Sequence, residues 1–249
     1  MFKVFAFLVI LLPSSLSLSE NLIGGKIDTV GKFPEVVWIR SGKYVCTASI
    51  VGPRVLLTAA HCTDSTGEVI PVSHSPNYEF TFKKEQYTAQ CMSAPYYSGN
   101  VGDQDFSLCK INKRIDVNYA IISMKGPRIG EKIVLMGFGC LERGGGVDGN
   151  DGKLRYGESI VTRKSSDDYY SFHAESKTVL CYGDSGAPAY KRIRGKTHYI
   201  YGVNSRSDLQ SLSLLTATHH PDSIEFMRDF ARTNKVKICG INTFCGIYF

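Results

Sequence analysis

From residue 33 onward the chain alternates short apolar runs, rich in Val, Ile, Tyr and Phe, with Gly, Pro, Asn and Asp. The runs at 33–40, 44–51, 55–60, 86–92, 106–111, 132–138, 154–162 and 198–203 are each too short for an ordinary helix, and turn formers bound them, so they predict strands. Many short strands in sequence predict an all-β sandwich or barrel. One segment breaks the pattern. After Pro221 and Asp222, the apolar residues Ile224, Met227, Phe230 and Ala231 fall at helical spacing, with Glu225 early and Arg232 late, which predicts one amphipathic C-terminal helix. The stretch 142–153 has Gly144-Gly145-Gly146 and Asp148-Gly149-Asn150-Asp151-Gly152 and almost no apolar content, so a mobile surface loop is expected there. Its acidic and amide side chains lack the ligand order of a calcium-binding loop. No internal repeat is evident.

The N-terminus follows a different grammar. Lys3 is the single early cation, an apolar run covers 4–12, and Pro13 and a serine-rich stretch follow. A spanning helix needs about 20 apolar residues, so a cleavable signal peptide over 1–19 is expected in preference to an uncleaved anchor, with cleavage after Ser19 or, as a second choice, after Ser17. Export makes the eight cysteines legible, because an oxidising compartment favours disulfides. No pair has the two-residue spacing of zinc sites, and the six histidines are scattered, so no metal is expected. The composition of the whole chain, 43% hydrophobic and 21% charged, is that of a globular protein. A formal charge of +6 without a block of like charges gives no reason to expect nucleic acid or a membrane surface as partner.

Three segments carry the residue types of nucleophilic acyl transfer, which needs a hydroxyl, an imidazole to take its proton, a carboxylate to hold the imidazole, and donors for an oxyanion. Thr58-Ala59-Ala60-His61-Cys62 sets a histidine at the end of an apolar strand beside a cysteine. Asp103-Gln104-Asp105-Phe106-Ser107-Leu108-Cys109 sets Asp105 at the mouth of another apolar run. Gly183-Asp184-Ser185-Gly186 puts a serine between glycines, where a tight turn exposes the hydroxyl and the amides of Gly183 and Ser185 face one oxyanion. Singly, each reads as a structural histidine, a strand-start aspartate or an ordinary turn. Together they occur in the order His, Asp, Ser.

On these motifs the chain resembles the chymotrypsin/trypsin-like serine proteases over 22–235: Leu22-Ile23-Gly24-Gly25 is similar to the mature N-terminus of that family, and Gly137-Phe138-Gly139 and Gly202-Val203-Asn204-Ser205 to weaker landmarks. The resemblance implies two antiparallel six-stranded β-barrels, roughly 22–120 and 121–249, with the active site between them. It implies a secreted serine endopeptidase, extracellular or periplasmic, with His61, Asp105 and Ser185 as the triad and Gly183 and Ser185 as the oxyanion hole. It further implies a propeptide 20–21 and activation by pairing of the Leu22 amine with Asp184. Substrate contacts fall to Val179, Ser205, Ser207 and Leu215, and Val179 at the pocket floor implies cleavage after apolar residues. Disulfides Cys46–Cys62, Cys91–Cys109, Cys140–Cys181 and Cys239–Cys245 are implied, the third departing from the usual family pattern. No cofactor is implied; the partners are protein or peptide substrates and protein protease inhibitors, for a monomer without a stable membrane anchor. Asn21 replaces the basic residue usual before the mature N-terminus, Ala187 a glycine, and Arg206 a tryptophan of the substrate groove. Two competing readings are a catalytically silent homologue serving as a binding module and an unrelated disulfide-stapled secreted β-domain.

Overall fold

The computed structural model describes residues 22–41, 44–63, 77–140, 151–166, 169–191 and 195–245. The expected leader 1–19, the pair 20–21 and most of the glycine-rich loop 142–153 lie outside the described residues. The chain enters through a two-residue strand, β1 (Lys26–Ile27), and then builds a first antiparallel sheet from β2 (Val36–Ser41), β3 (Tyr44–Gly52), β4 (Val55–Thr58), β5 (Asn77–Phe82), β6 (Glu85–Ser93) and β7 (Ser107–Ile111). Its strand order is β2-β3-β4-β7-β6-β5. This is a half-barrel, where a closed barrel is expected from the sequence. β5 is bonded along its whole length to β6, from Asn77↔Gln90 to Phe82↔Glu85, and β2 to β3, and among the described residues no ladder joins the two end strands.

The second half follows with β8 (Ile121–Ile122), β9 (Lys132–Gly137), β10 (Arg155–Arg163), β11 (Ser171–Glu175), β12 (Pro188–Lys191), β13 (Tyr199–Ser207) and β14 (Leu212–Ala217). Here β9 bonds to β10 on one side and β12 on the other, closing the circuit β9-β10-β11-β14-β13-β12 into a six-strand barrel. Helix α1 (Pro221–Asn234) ends the fold. His220 caps it by accepting from the Asp222 amide, Pro221 takes the first turn, where its missing N–H is no loss, and Lys235 closes it in the left-handed conformation. The apolar stripe read from the sequence, Ile224, Met227, Phe230 and Ala231, is buried.

The two halves exchange arms. At the N-terminal end, β1 pairs with β10 of the second barrel, Ile23 bridges to Val179, and Leu22 is buried in a core cluster with Ile133, Leu135, Phe172 and Leu215. At the other end, Met227 and Phe230 of α1 join the cluster built on Ile50, Leu56 and Leu108 of the first sheet. The Cys239 amide donates to Val51 O at 2.8 Å, and a Cβ on Gly52 would meet Lys237 O at 2.0 Å. All four expected disulfides are formed, and Cys91 and Cys109 lie directly opposite each other on β6 and β7.

Candidate active site

His61 leaves β4 in a single 3-10 turn, Ala60–Cys62, which is held by the Cys46–Cys62 disulfide. Its backbone N–H donates to Asp105 Oδ1 at 3.0 Å, and its ring Nδ1 donates to Asp105 Oδ2 at 2.7 Å. The carboxylate thus fixes both the main chain and the ring of the histidine. Asp105 is 1% exposed and lies two residues before β7 begins. Ser205 Oγ donates to the same Oδ2. Burial opposes the charge of Asp105, but the His61 ring and these donors outweigh it and hold its carboxyl down at about 2. Burial likewise opposes protonation of His61, yet the Asp105 charge and hydrogen bond raise its pKa above the ordinary value, against the opposing charge of Arg206. Asp103, 9% exposed, is raised by burial, with Oδ2 taking donors from Ser98 and Oδ1 left without a partner.

Ser185 sits on the turn between Cys181 and β12. Glycine is required on both sides of it. Gly183 has φ of 101°, Gly186 has φ of 84°, and a Cβ on Gly186 would meet Thr58 Oγ1 at 2.1 Å and Thr47 O at 2.2 Å. Thr47 of β3 anchors the turn across the barrel interface: its N–H donates to Ser185 O at 2.8 Å and its hydroxyl to Gly183 O at 2.8 Å. Asn204 holds the turn from beneath, its Nδ2 donating to Met136 O and Asp184 O and its main chain pairing with Gly186 and Ala187. The Asp184 and Gly186 amides are bonded inside this frame. Those of Gly183 and Ser185, two residues apart, have no acceptor among the described residues.

Asp184 is fully buried. Its carboxylate accepts from Gly139 N at 2.7 Å and Cys181 N at 2.8 Å, and no cation lies within 4 Å among the described residues. Burial pushes its carboxyl up to about 7, the two amides and the Arg155 charge offsetting only part of the effect. Cβ atoms on Gly137 or Gly139 would overlap this side chain at 2.2 Å and 2.5 Å, so both glycines are required by its approach. The Cys140–Cys181 disulfide joins the segment of Gly139 to that of Cys181, clasping the carboxylate between the two amides. Leu22 is fully buried in the second core.

His61 and Ser185 line one cleft of about 500 Å³. Ser205 and Ser207 line it too, with Leu180, Tyr182, Arg206 and Leu209. Val179 and Leu215 are fully buried and are not among its lining residues; they pair with Ile23 and with Phe172 and Asn204. Nothing in the sequence marks Leu180 and Leu209 as the apolar lining or Thr47 as the anchor. A buried hydroxyl on a β-branched strand residue gives no local signal. Cys46, Cys62 and His61 bring donor atoms close together, but both sulfurs are committed to a disulfide and cannot serve as thiolate ligands. The Cys62 sulfur packs against Ser185 O at 3.7 Å.

Comparison with known proteins finds a match to the family model described as Trypsin over residues 22–214. Trypsin alpha-4 of Lucilia cuprina is 24% identical over 205 residues, covering 74% of this chain and 79% of that protein. Transmembrane protease serine 9 of Rattus norvegicus is 24% identical over 205 residues; the match takes in 74% of this chain and spans 19% of that longer protein. Trypsin of Sus scrofa is 25% identical over 132 residues, covering 51% of this chain and 56% of that protein.

Proposed function

The chain belongs to the trypsin family of serine proteases, and on that premise we propose that it is a secreted serine endopeptidase acting through an acyl-enzyme. Ser185 Oγ attacks the scissile carbonyl carbon while His61 Nε2 takes its proton. Asp105 holds the Nδ1–H tautomer and stabilises the imidazolium. The Gly183 and Ser185 amides receive the oxyanion. Collapse of the tetrahedral intermediate breaks the C–N bond as His61 gives the proton to the leaving amine. Water then repeats the sequence on the ester and frees Ser185.

The observation that carries this reading is the buried Asp105 carboxylate bonded to His61 Nδ1 at 2.7 Å, with His61 and Ser185 in one cleft. Secretion is supported by four disulfides, which suit an oxidising compartment, and by the apolar leader over 1–19. Among the described residues no helix is long and apolar enough to cross a membrane. The proposed mature enzyme is 22–249, released from 20–21, with the Leu22 amine pairing Asp184 to lock the Gly183 amide in place. For specificity, Leu180 and Leu209 give the cleft an apolar lining, with Ser205 and Ser207 as supporting contacts, which favours cleavage after apolar residues.

A fluorophosphonate probe tests the central claim. Protein beginning at Leu22 is expected to be labelled and to hydrolyse peptides, and Ser185→Ala to lose labelling and at least about 10⁴-fold of turnover. Near-normal peptidase activity in folded Ser185→Ala defeats it.

A further inference from the structure

Among the described residues, the cleft of His61 and Ser185 is lined by one obligate cation, Arg206, and by no carboxylate. The nearby described anions are engaged elsewhere: Asp105 is 1% exposed and bonded to His61 and Ser205, Asp103 is 9% exposed with one oxygen on Ser98, and Asp208, exposed between Ser207 and Leu209, has its Oδ1 taken by the amides of Gln210, Ser211 and Leu212. A ligand in the cleft therefore meets the guanidinium, and none of these three carboxylates lines it.

Arg206 is also held in place. It extends from β13, while its Nη2 donates to Gly99 O at 2.6 Å on the segment after β6. That segment is fixed in turn, since the Tyr170 N–H donates to Gly102 O at 2.8 Å and the rings of Tyr96 and Tyr170 stack at 5.6 Å. The head group is thus gripped from the first half of the molecule and its stem from the second. An arginine has five N–H donors in a planar fork that matches a carboxylate. Among the described residues Arg206 spends one donor on Gly99 and forms no ion pair. Alongside it, β12 leaves β13 after Pro188↔Val203 while β14 continues to Ser207↔Ser213, so the Ser205–Ser207 stretch keeps one strand edge open to an extended peptide.

We propose that Arg206 is a specificity-determining residue that binds an acidic side chain of the peptide substrate, two to four residues before the scissile bond. The substrate class narrows from apolar peptides to acidic peptides cut after an apolar residue. This rests on the peptidase reading above.

Paired fluorogenic peptides that differ only in Glu against Gln at each of those three positions test it, with protein beginning at Leu22. At one position kcat/KM for Glu should exceed that for Gln about tenfold, chiefly through KM, and the ratio should shrink with added salt. In Arg206→Gln, which keeps a donor for Gly99 O but no charge, the ratio should fall to about one. A purely structural Arg206 would lower turnover of both peptides alike and leave the ratio standing. The same peptides titrated onto Ser185→Ala by fluorescence anisotropy should show the same Glu preference in Kd. An enzyme without turnover whose Ser185→Ala form still prefers Glu would sink the hydrolase reading and support the subsite. Equal Kd and equal kcat/KM at all three positions, or a Glu preference that survives in Arg206→Gln, overturns the proposal.

Discussion

Thr47 is fully buried on β3, yet its N–H and hydroxyl hold Ser185 O and Gly183 O, and the hydroxyl also accepts from Phe138 N at 3.3 Å. Valine has nearly the same shape and lacks the oxygen. Thr47→Val leaves the Gly183 carbonyl without its donor in a dry interface, a loss on the order of 1–3 kcal/mol. Because that carbonyl helps set the orientation of the turn proposed to receive the oxyanion, kcat should fall more than KM rises. Urea unfolding and steady-state kinetics on a neutral peptide read both effects. Unchanged kcat alongside the stability loss would show that the turn keeps its geometry without Thr47. The residue had no voice in the sequence because its partner Gly183 lies 136 positions away. His61, Asp105 and Ser185 were legible for the opposite reason: each stands in a short motif whose neighbours, a cysteine or flanking glycines, announce a constrained backbone. Asn204 stood in a landmark motif without a role, and its contacts with Met136 and Asp184 supply one.

At the scale of elements, the serine turn is a clasp around a carboxylate. Asp184 is held by two amides that the Cys140–Cys181 disulfide ties together, and its carboxyl lies raised to about 7 against an ordinary value near 3.9. The sign follows from proton counting. Between about pH 4 and 7 the folded chain binds a proton on Asp184 that the unfolded chain has released, so stability is highest at the acid end and declines as pH rises, by a few kcal/mol at most. Pairing with the Leu22 amine would lower the folded value and remove the decline. Protein beginning at Glu20 should therefore lose stability from pH 4 to 7 relative to its Asp184→Asn variant, and protein beginning at Leu22 should not. Urea midpoints across that range decide it, and parallel curves for the two forms would argue against the amine as partner. The strands that the sequence pattern does not mark are hidden for local reasons. On β14, Ser213 and Thr216 are fully buried among leucines, which hides the alternation that marks a half-exposed strand. β12 opens on Pro188, and β11 carries His173 and Glu175, residues that read as loop.

For the whole molecule, what joins the halves is non-covalent contact through main chain and side chains alike, since none of the four disulfides runs from the first sheet to the second barrel. Glu35, fully buried just before β2, accepts from Tyr190 Oη at 2.7 Å and from His198 Nδ1 at 2.6 Å, both on the far side. With the exchanged arms, each half completes the core of the other, so heat or urea should melt the protein in one transition despite its two sheets. Calorimetry is the check: agreement of the calorimetric and van't Hoff enthalpies is expected, and two resolved peaks would show the halves to be independent. The all-β class and the C-terminal helix were legible because periodicity is local. The exchange of arms was not, because it depends on where Leu22 and Met227 find a surface to cover. That exchange also governs timing during synthesis. The N-terminal arm is made first but has no barrel to dock into until β10 exists, and the first sheet waits for α1. Both halves thus reach their final form together, only after nearly all the described chain has left the ribosome, and Ser185 meets His61 no earlier than that moment.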